Sequence, residues 1–254
     1  MVKEKVFTRF LNDCLLINED ILVIGDIHLG YEGYIVGEEV SLKFQLEEIL
    51  KKLDSVFEIL KRGYVKLKKI VLLGDLKHEF KGISKSEWRD VLGLLDYLKK
   101  RCKDIVLIEG NHDNLLELIA KKQNIRLKKY YKIRKKICGK SIVVCFLHGH
   151  ECFKQCLNSN ILIIGHLHPS ISLKDKYKNE KFKCFLKGRW KRKIVYILPS
   201  FSDTNIGYDL RGLSFGKGNR FVFIDDKNLR NFEVLIYNDR GKKLLNFGSL
   251  DELI

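Results

Sequence analysis

The chain has 254 residues, 45% of them hydrophobic, enough material for one α/β domain spanning residues 1–254. Lys and Arg number 48 against 32 Asp and Glu, a formal net charge of +16. No apolar run approaches the ~18–20 residues of a membrane span, and the opening Met1-Val-Lys-Glu-Lys-Val lacks the apolar stretch of a signal peptide. No membrane is therefore expected, and the expected location is the cytoplasm.

The basic excess draws polyanions by long-range attraction and points to nucleic acid as a partner. A solvated Lys- and Glu-rich surface would account for the abundance of charge, but less well for its imbalance. The cysteines at 14, 102, 138, 145, 152, 156 and 184 are odd in number and include no CxxC pair. They fit reduced thiols better than a disulfide framework or a structural zinc site. The sequence does not identify a protein partner.

In chain order, Ile21–Ile24, Ile70–Leu73, Ile105–Ile108, Ile142–Leu147 and Ile161–Ile164 read as buried strands, apolar throughout because both faces are covered. Between the first two, Leu46, Ile49, Leu50, Leu53, Val56, Phe57 and Leu60 share one face of a helix that Gly63 can end. A second helix starts near Ser84, with Glu87 in capping-box position and Trp88, Val91, Leu92, Leu95 and Leu98 as its apolar stripe. The segment Asn114 to Ala120 reads as a short helix. The last third is richer in strands, at Ile194–Leu198, Arg220–Ile224 and Phe232–Tyr237. The basic stretch from Lys174 to Lys193 reads as an exposed loop or hairpin, and the glycine-rich Gly212–Gly218 as a loop.

Six of the seven histidines fall in four short segments, each directly after a strand: Gly25-Asp-Ile-His-Leu-Gly30, Gly110-Asn-His-Asp113, His148-Gly-His150 and Gly165-His-Leu-His168. Gly74-Asp75 ends another strand in the same way. Each segment alone is an ordinary turn. Together they place oxygen and nitrogen donors at one edge of a sheet, a set that suits manganese first, with iron, zinc or cobalt also fitting.

The ordered set D-x-H, GD, GNH[DE], HGH and GHxH, over residues 21 to 169, resembles the calcineurin-like metallophosphoesterase superfamily. Leu15 to Glu32 and Gly165 to Ser202 resemble more narrowly the SbcD-related archaeal phosphoesterases, themselves similar to the ligase-associated group called PdeM. The resemblance implies a four-layer α/β/β/α sandwich, an α/β fold of two mixed sheets flanked by helices. It implies two divalent metal ions, one held by Asp26, His28 and His168, the other by Asn111, His148 and His166, with Asp75 bridging. His112 would face the substrate as acid or charge stabiliser while a metal-bridging hydroxide attacks phosphorus.

The leading expectation is a phosphodiesterase or nuclease acting on DNA or RNA. In that reading Lys187, Arg189, Lys191, Arg192 and Lys193 hold backbone phosphates, Trp190 stacks on an unpaired base, and His150 approaches the substrate. The other packing of this run is a solvated hairpin with Trp190 turned inward. His78 lies one short turn beyond Asp75 and can line the cleft. The alternative substrate is a small phosphoester such as a cyclic nucleotide, because the same metal pair serves both.

Overall fold

The structure, a computed structural model, describes residues 7–31, 42–80, 82–137, 139–174, 178–212 and 223–254. The strands β1 (Thr8–Leu11), β2 (Cys14–Ile17), β3 (Ile21–Ile24), β4 (Lys69–Leu72), β5 (Ile105–Ile108) and β6 (Arg126–Lys128) form a six-stranded sheet in that order. The pairings β1–β2 and β2–β3 are antiparallel, and β3 to β6 run parallel.

The chain continues through β7 (Tyr130–Ile137), β8 (Lys140–Leu147), β9 (Ile161–Ile164), β10 (Pro169–Lys174), β11 (Asn179–Lys183), β12 (Phe185–Trp190) and β13 (Lys193–Ile197). It ends with β14 (Tyr208–Asp209), β15 (Glu233–Asn238) and β16 (Lys243–Ser249). Seven of these strands form a second mixed sheet in the order β16-β15-β12-β13-β9-β8-β7, and β11-β10-β14 form a small third one.

Side chains alternate across each strand, so one strand feeds two cores. Val23, Val71 and Val106 of the first sheet meet Val144, Phe146, Ile163 and Tyr196 of the second in a layer between the sheets. On the opposite face of the first sheet, Leu22, Ile24, Ile70, Leu72 and Leu107 pack against the helices α1 (Leu42–Arg62), α2 (Lys85–Arg101) and α3 (Leu116–Lys122). The outer face of the second sheet, through Leu162, Ile164, Val195 and Ile197, carries the short helices α4 (Asp226–Leu229) and α5 (Leu250–Leu253). The result is the four-layer α/β/β/α sandwich. α1 ends where Gly63 N–H closes on the Ile59 carbonyl, and Ser84 with Glu87 forms the capping box that starts α2.

Of the two alternatives for the basic stretch the hairpin is the one formed, and the late strand changes. The stretch before Lys193 is largely strand: β11 and β12 take up most of it, and Trp190 to Lys193 form a tight turn between β12 and β13. Of the strand expected at Arg220–Ile224, residues 220–222 lie outside the described residues, and Phe223 and Ile224 form a bend. The glycine-rich segment from Leu213 onward, and Cys138, also lie outside them. The six described cysteines are free thiols.

Beneath the functional edge a charged knot ties α1 to the loop after β13. Lys52 Nζ pairs with Asp13 and with Asp203 Oδ1 (2.5 Å) and donates to the Phe201 carbonyl (2.9 Å). Lys183 Nζ lies 3.5 Å from Asp13 and donates to the Ser200 and Ser202 carbonyls. Burial disfavours the Lys52 ammonium, but Asp13 and Asp203 outweigh that and push its pKa above the ordinary lysine value. Removing one member of a buried pair strands the other, whereas the exposure of Asp203 screens part of the loss. Lys52→Ala is therefore expected to cost about 2–3 kcal/mol. That corresponds to a melting temperature lower by roughly 5–10 °C, read by calorimetry; an unchanged melt would show the knot to be neutral.

Candidate metal centre

The parallel strands decide where the chemistry sits. β3, β4 and β5 of one sheet and β8, β9 and β13 of the other all deliver their C-terminal loops to the same edge of the sandwich. Backbone hydrogen bonds zip these loops together: Ile27 and His28 N–H donate to the Asp75 carbonyl, Gly165 N–H to His148, and Phe201 N–H to Asp26. Asp26, His28, Asp75, Asn111, His112, His148, His166 and His168 thereby converge from five chain segments.

Two donor groups share Asp75. Asp26, His28, Asp75 and His168 bring one ligand atom each within 4.8 Å of one another, and so do Asp75, His148 and His166. Asn111 Oδ1 lies 2.9 Å from His148 Nε2 and completes the second group. Asp75 Oδ2 is central, 3.7 Å from His28 Nε2, 3.3 Å from His148 Nε2 and 3.9 Å from His112 Nε2. In each group two imidazole nitrogens meet nearly head-on: His28 Nε2 and His168 Nε2 at 3.3 Å, His148 Nε2 and His166 Nδ1 at 3.0 Å. Lone pairs forced this close repel unless a proton or a cation lies between them. Mixed carboxylate, amide and imidazole donors fit a first-row divalent ion. His148 Nδ1 donates to the Leu73 carbonyl at 2.9 Å, which turns its Nε2 inward.

The charges of His28, His166 and the two carboxylates agree with this. Burial keeps His28 (pKa lowered to about 3) and His166 (lowered to about 4) neutral, aided by His168 and His148 respectively, so their lone pairs are available at neutral pH. Burial also works against a charged Asp26, yet His168 and His148 overcome it and hold that carboxyl at about 2. Asp75 is likewise held below the ordinary carboxylate range, with His148 and His28 as its partners. His148 runs the other way: its burial is outweighed by Asp26 and Asp75, which raise it to about 9.

The backbone is strained where the donors sit. His28, Asp75, His166 and His168 all have positive φ, between 46° and 64°, the left-handed region that non-glycine residues seldom enter and that this chain otherwise uses in turns such as those at Asn12 and Lys191. Two glycines let the carboxylates come close. A Cβ on Gly110 would stand 2.1 Å from Asp75 Oδ1, and one on Gly165 would stand 2.3 Å from Asp26 Oδ2.

His112 is 9% exposed at the mouth. Its Nδ1–H donates to the His78 carbonyl at 2.5 Å, which leaves Nε2 pointing at the shared carboxylate. His78 stacks beside it, ring centroids 5.3 Å apart. His150 is exposed, 5.9 Å from the His166 ring and 5.2 Å from that of His148.

The basic hairpin is elsewhere. Ile194, next to its turn, pairs with Ile161 at the start of β9, whereas the metal loop leaves β9 after Ile164. Lys191 and Arg192 therefore lie a full strand from the site, about 10–13 Å at ~3.3 Å per residue before the loops are counted. Arg189 and Lys193 flank the same turn, and Lys187 pairs with Glu233 at 3.5 Å. Trp190 is 4% exposed, packed on Phe223 with Lys191 over its ring, so it has no free face for a base. The inward packing is the one the structure adopts, because the β12–β13 register carries this turn to the opposite end of the sheet.

Three supporting residues escaped the sequence reading. The Asp113 carboxylate accepts N–H bonds from Asp75 (2.7 Å), Leu76 (2.9 Å) and Gly110 (2.9 Å). Buried Gln45, far off on α1, accepts from Gly30 N–H and donates to the His28 carbonyl. Buried Lys77 donates to the carbonyls of Glu79 and His112. Asp113 was visible inside Gly110–Asp113 as the residue after the histidine; Gln45 and Lys77 carried no signal.

A model of the calcineurin-like phosphoesterase family matches residues 20–230. The chain belongs to this family and is a metal-dependent hydrolase of phosphoesters. Among solved structures it is similar to nuclease MPE of Pseudomonas putida, at 16% identity and a TM-score of 0.56 over 90% of this chain and 91% of that one. It is also similar to Yfce, a phosphoesterase from E. coli, at 12% identity and a TM-score of 0.42 over 90% and 98%. No curated protein matches the chain. Among the described residues no helix is long and apolar enough to cross a membrane.

Proposed function

We propose that this chain is a two-metal phosphodiesterase of DNA or RNA, akin to the SbcD-related and ligase-associated phosphoesterases, with manganese as its metal. The observation that carries the reading is the pair of donor groups sharing Asp75 Oδ2, with His112 Nε2 beside them. Asp26, His28 and His168 would hold one cation, Asn111, His148 and His166 the other, and Asp75 both. Two such cations supply an activated water and neutralise the phosphoryl oxygens.

The protein's own groups do the rest. His112, its Nδ1–H committed to the His78 carbonyl, presents Nε2 to the leaving oxygen and, as the imidazolium, delivers its Nε2 proton there. Asp113, Gln45 and Lys77 hold the loops that carry the donors, so little reorganisation is needed on binding. The net charge of +16 favours a polyanionic substrate over a small ester, and the likeness to a nuclease points the same way.

The test is manganese-dependent hydrolysis, run in parallel on single-stranded DNA, RNA, bis-p-nitrophenyl phosphate and a 2′,3′-cyclic nucleotide. Cleavage of the polymers is expected, with His112→Ala slower by about 10²–10⁴-fold and its metal binding unchanged. Turnover of the small esters alone would replace the nucleic-acid reading with a metabolite one.

A further inference from the structure

An aromatic wall runs along one side of the metal centre. Tyr31 meets His78 edge-on at 4.8 Å, His78 stacks on His112 at 5.3 Å, and Phe80 lies over His112 at 3.5 Å between ring centroids. The row ends at the surface: the Phe80 side chain is 51% exposed. Its backbone is nevertheless held firmly. Asn114 Nδ2 donates to the Phe80 carbonyl at 2.7 Å, Lys77 donates to Glu79 and His112, and the Glu87 carboxylate accepts from His78 and Glu79 N–H.

A half-exposed aromatic on a pinned loop, one ring away from the group that faces the leaving oxygen, is a preorganised stacking platform. Bases stack on such rings without regard to sequence, because every base has a π-face. Trp190, the aromatic that the sequence offered for this task, is buried at the other end of the sheet.

We propose that Phe80 stacks on the base of the nucleoside at the leaving-group side of the scissile phosphate, and so selects strands whose base there is unpaired. This rests on the nucleic-acid reading of the site. A paired base stays in its duplex and cannot lie flat on the ring, so single strands, loops and frayed ends are the favoured substrates.

The experiment compares wild type, Phe80→Ala and Phe80→Tyr in the manganese-loaded enzyme, on a single-stranded oligonucleotide and on one with an abasic residue on the leaving-group side. Phe80→Ala is expected to lower kcat/KM about tenfold on the intact strand and to equal wild type on the abasic one, with Phe80→Tyr restoring the rate. A 2-aminopurine at that position should be quenched on binding by wild type and not by Phe80→Ala. An equal loss on both strands, or none on either, would overturn the proposal and leave Phe80 as a cover for His112. Wild type that cleaves no polymer at all would instead bring down the nucleic-acid reading, and this inference with it.

Discussion

Asp75→Asn is expected to lower turnover by at least about 10³-fold, some 4 kcal/mol of barrier, while the metal-free protein melts within a few degrees of wild type. Asp75 Oδ2 is the oxygen that both donor groups share, and an amide in its place offers one neutral lone-pair acceptor or two N–H donors. The fold survives because the retained oxygen can still accept the His112 N–H, as Oδ1 now does at 2.9 Å. Charge also helps: Asp75 sits among buried carboxylates and pushes the pKa values of Asp26 and Asp113 upward, so its neutralisation relieves repulsion while depriving His148 of a partner. The discriminating measurement is melting temperature against manganese concentration. Wild type should gain stability with added metal and the variant should not, since only binding to the native state raises the melt. Full turnover in the variant, or an undiminished metal-dependent rise, would remove Asp75 from its assigned place.

Asp113→Ala is expected to give the largest loss of stability, about 3 kcal/mol or more, and to weaken metal binding about 10–100-fold. The substitution strands three buried N–H donors, those of Asp75, Leu76 and Gly110, each costing about 1–3 kcal/mol. The lower end of the sum is the better guide, because the carboxylate is itself held at a cost: burial and the charge of Asp75 push its pKa up to about 7. Asp113→Asn should fall between, since it keeps one accepting oxygen but turns an NH₂ group toward other donors. Chemical denaturation and calorimetric manganese titration of both variants check this. A wild-type midpoint and affinity for Asp113→Ala would show the three N–H groups to be served by other means.

The donor segments were legible because each is local. An aspartate, asparagine or histidine placed beside a glycine at the end of an apolar run is a statement about the next few residues, and five such statements in one chain, at Asp26, Asp75, Asn111, His148 and His166, leave little freedom. The helices were legible for the same reason: the stripe Ile49, Leu53, Val56, Leu60 and the box Ser84–Glu87 depend on spacings of three and four. Trp190 shows the opposite case. Its composition, a tryptophan among basic residues, fits a nucleic-acid surface and a packed hairpin equally well. Only the β12–β13 register, set by long-range pairing with β9, turns the ring inward and carries the charges to the far edge.

By itself, then, the sequence determined the α/β class, the central apolar strands, the first helices and the short segments that carry the donors, since these follow from side-chain type and periodicity over a few residues. Tertiary structure decided what depends on distance between remote segments. It set the strand order of the two sheets and the central position of Asp75 Oδ2. It also bound the His28 and Gly30 backbone to Gln45 on α1, clamped the loops after β4 and β5 together with Asp113, and exposed Phe80 beside His112. The physical reason is that a hydrogen bond or ring contact between residues tens of positions apart leaves no periodic trace in the chain; it exists only once burial of the two sheets has fixed where their edges meet.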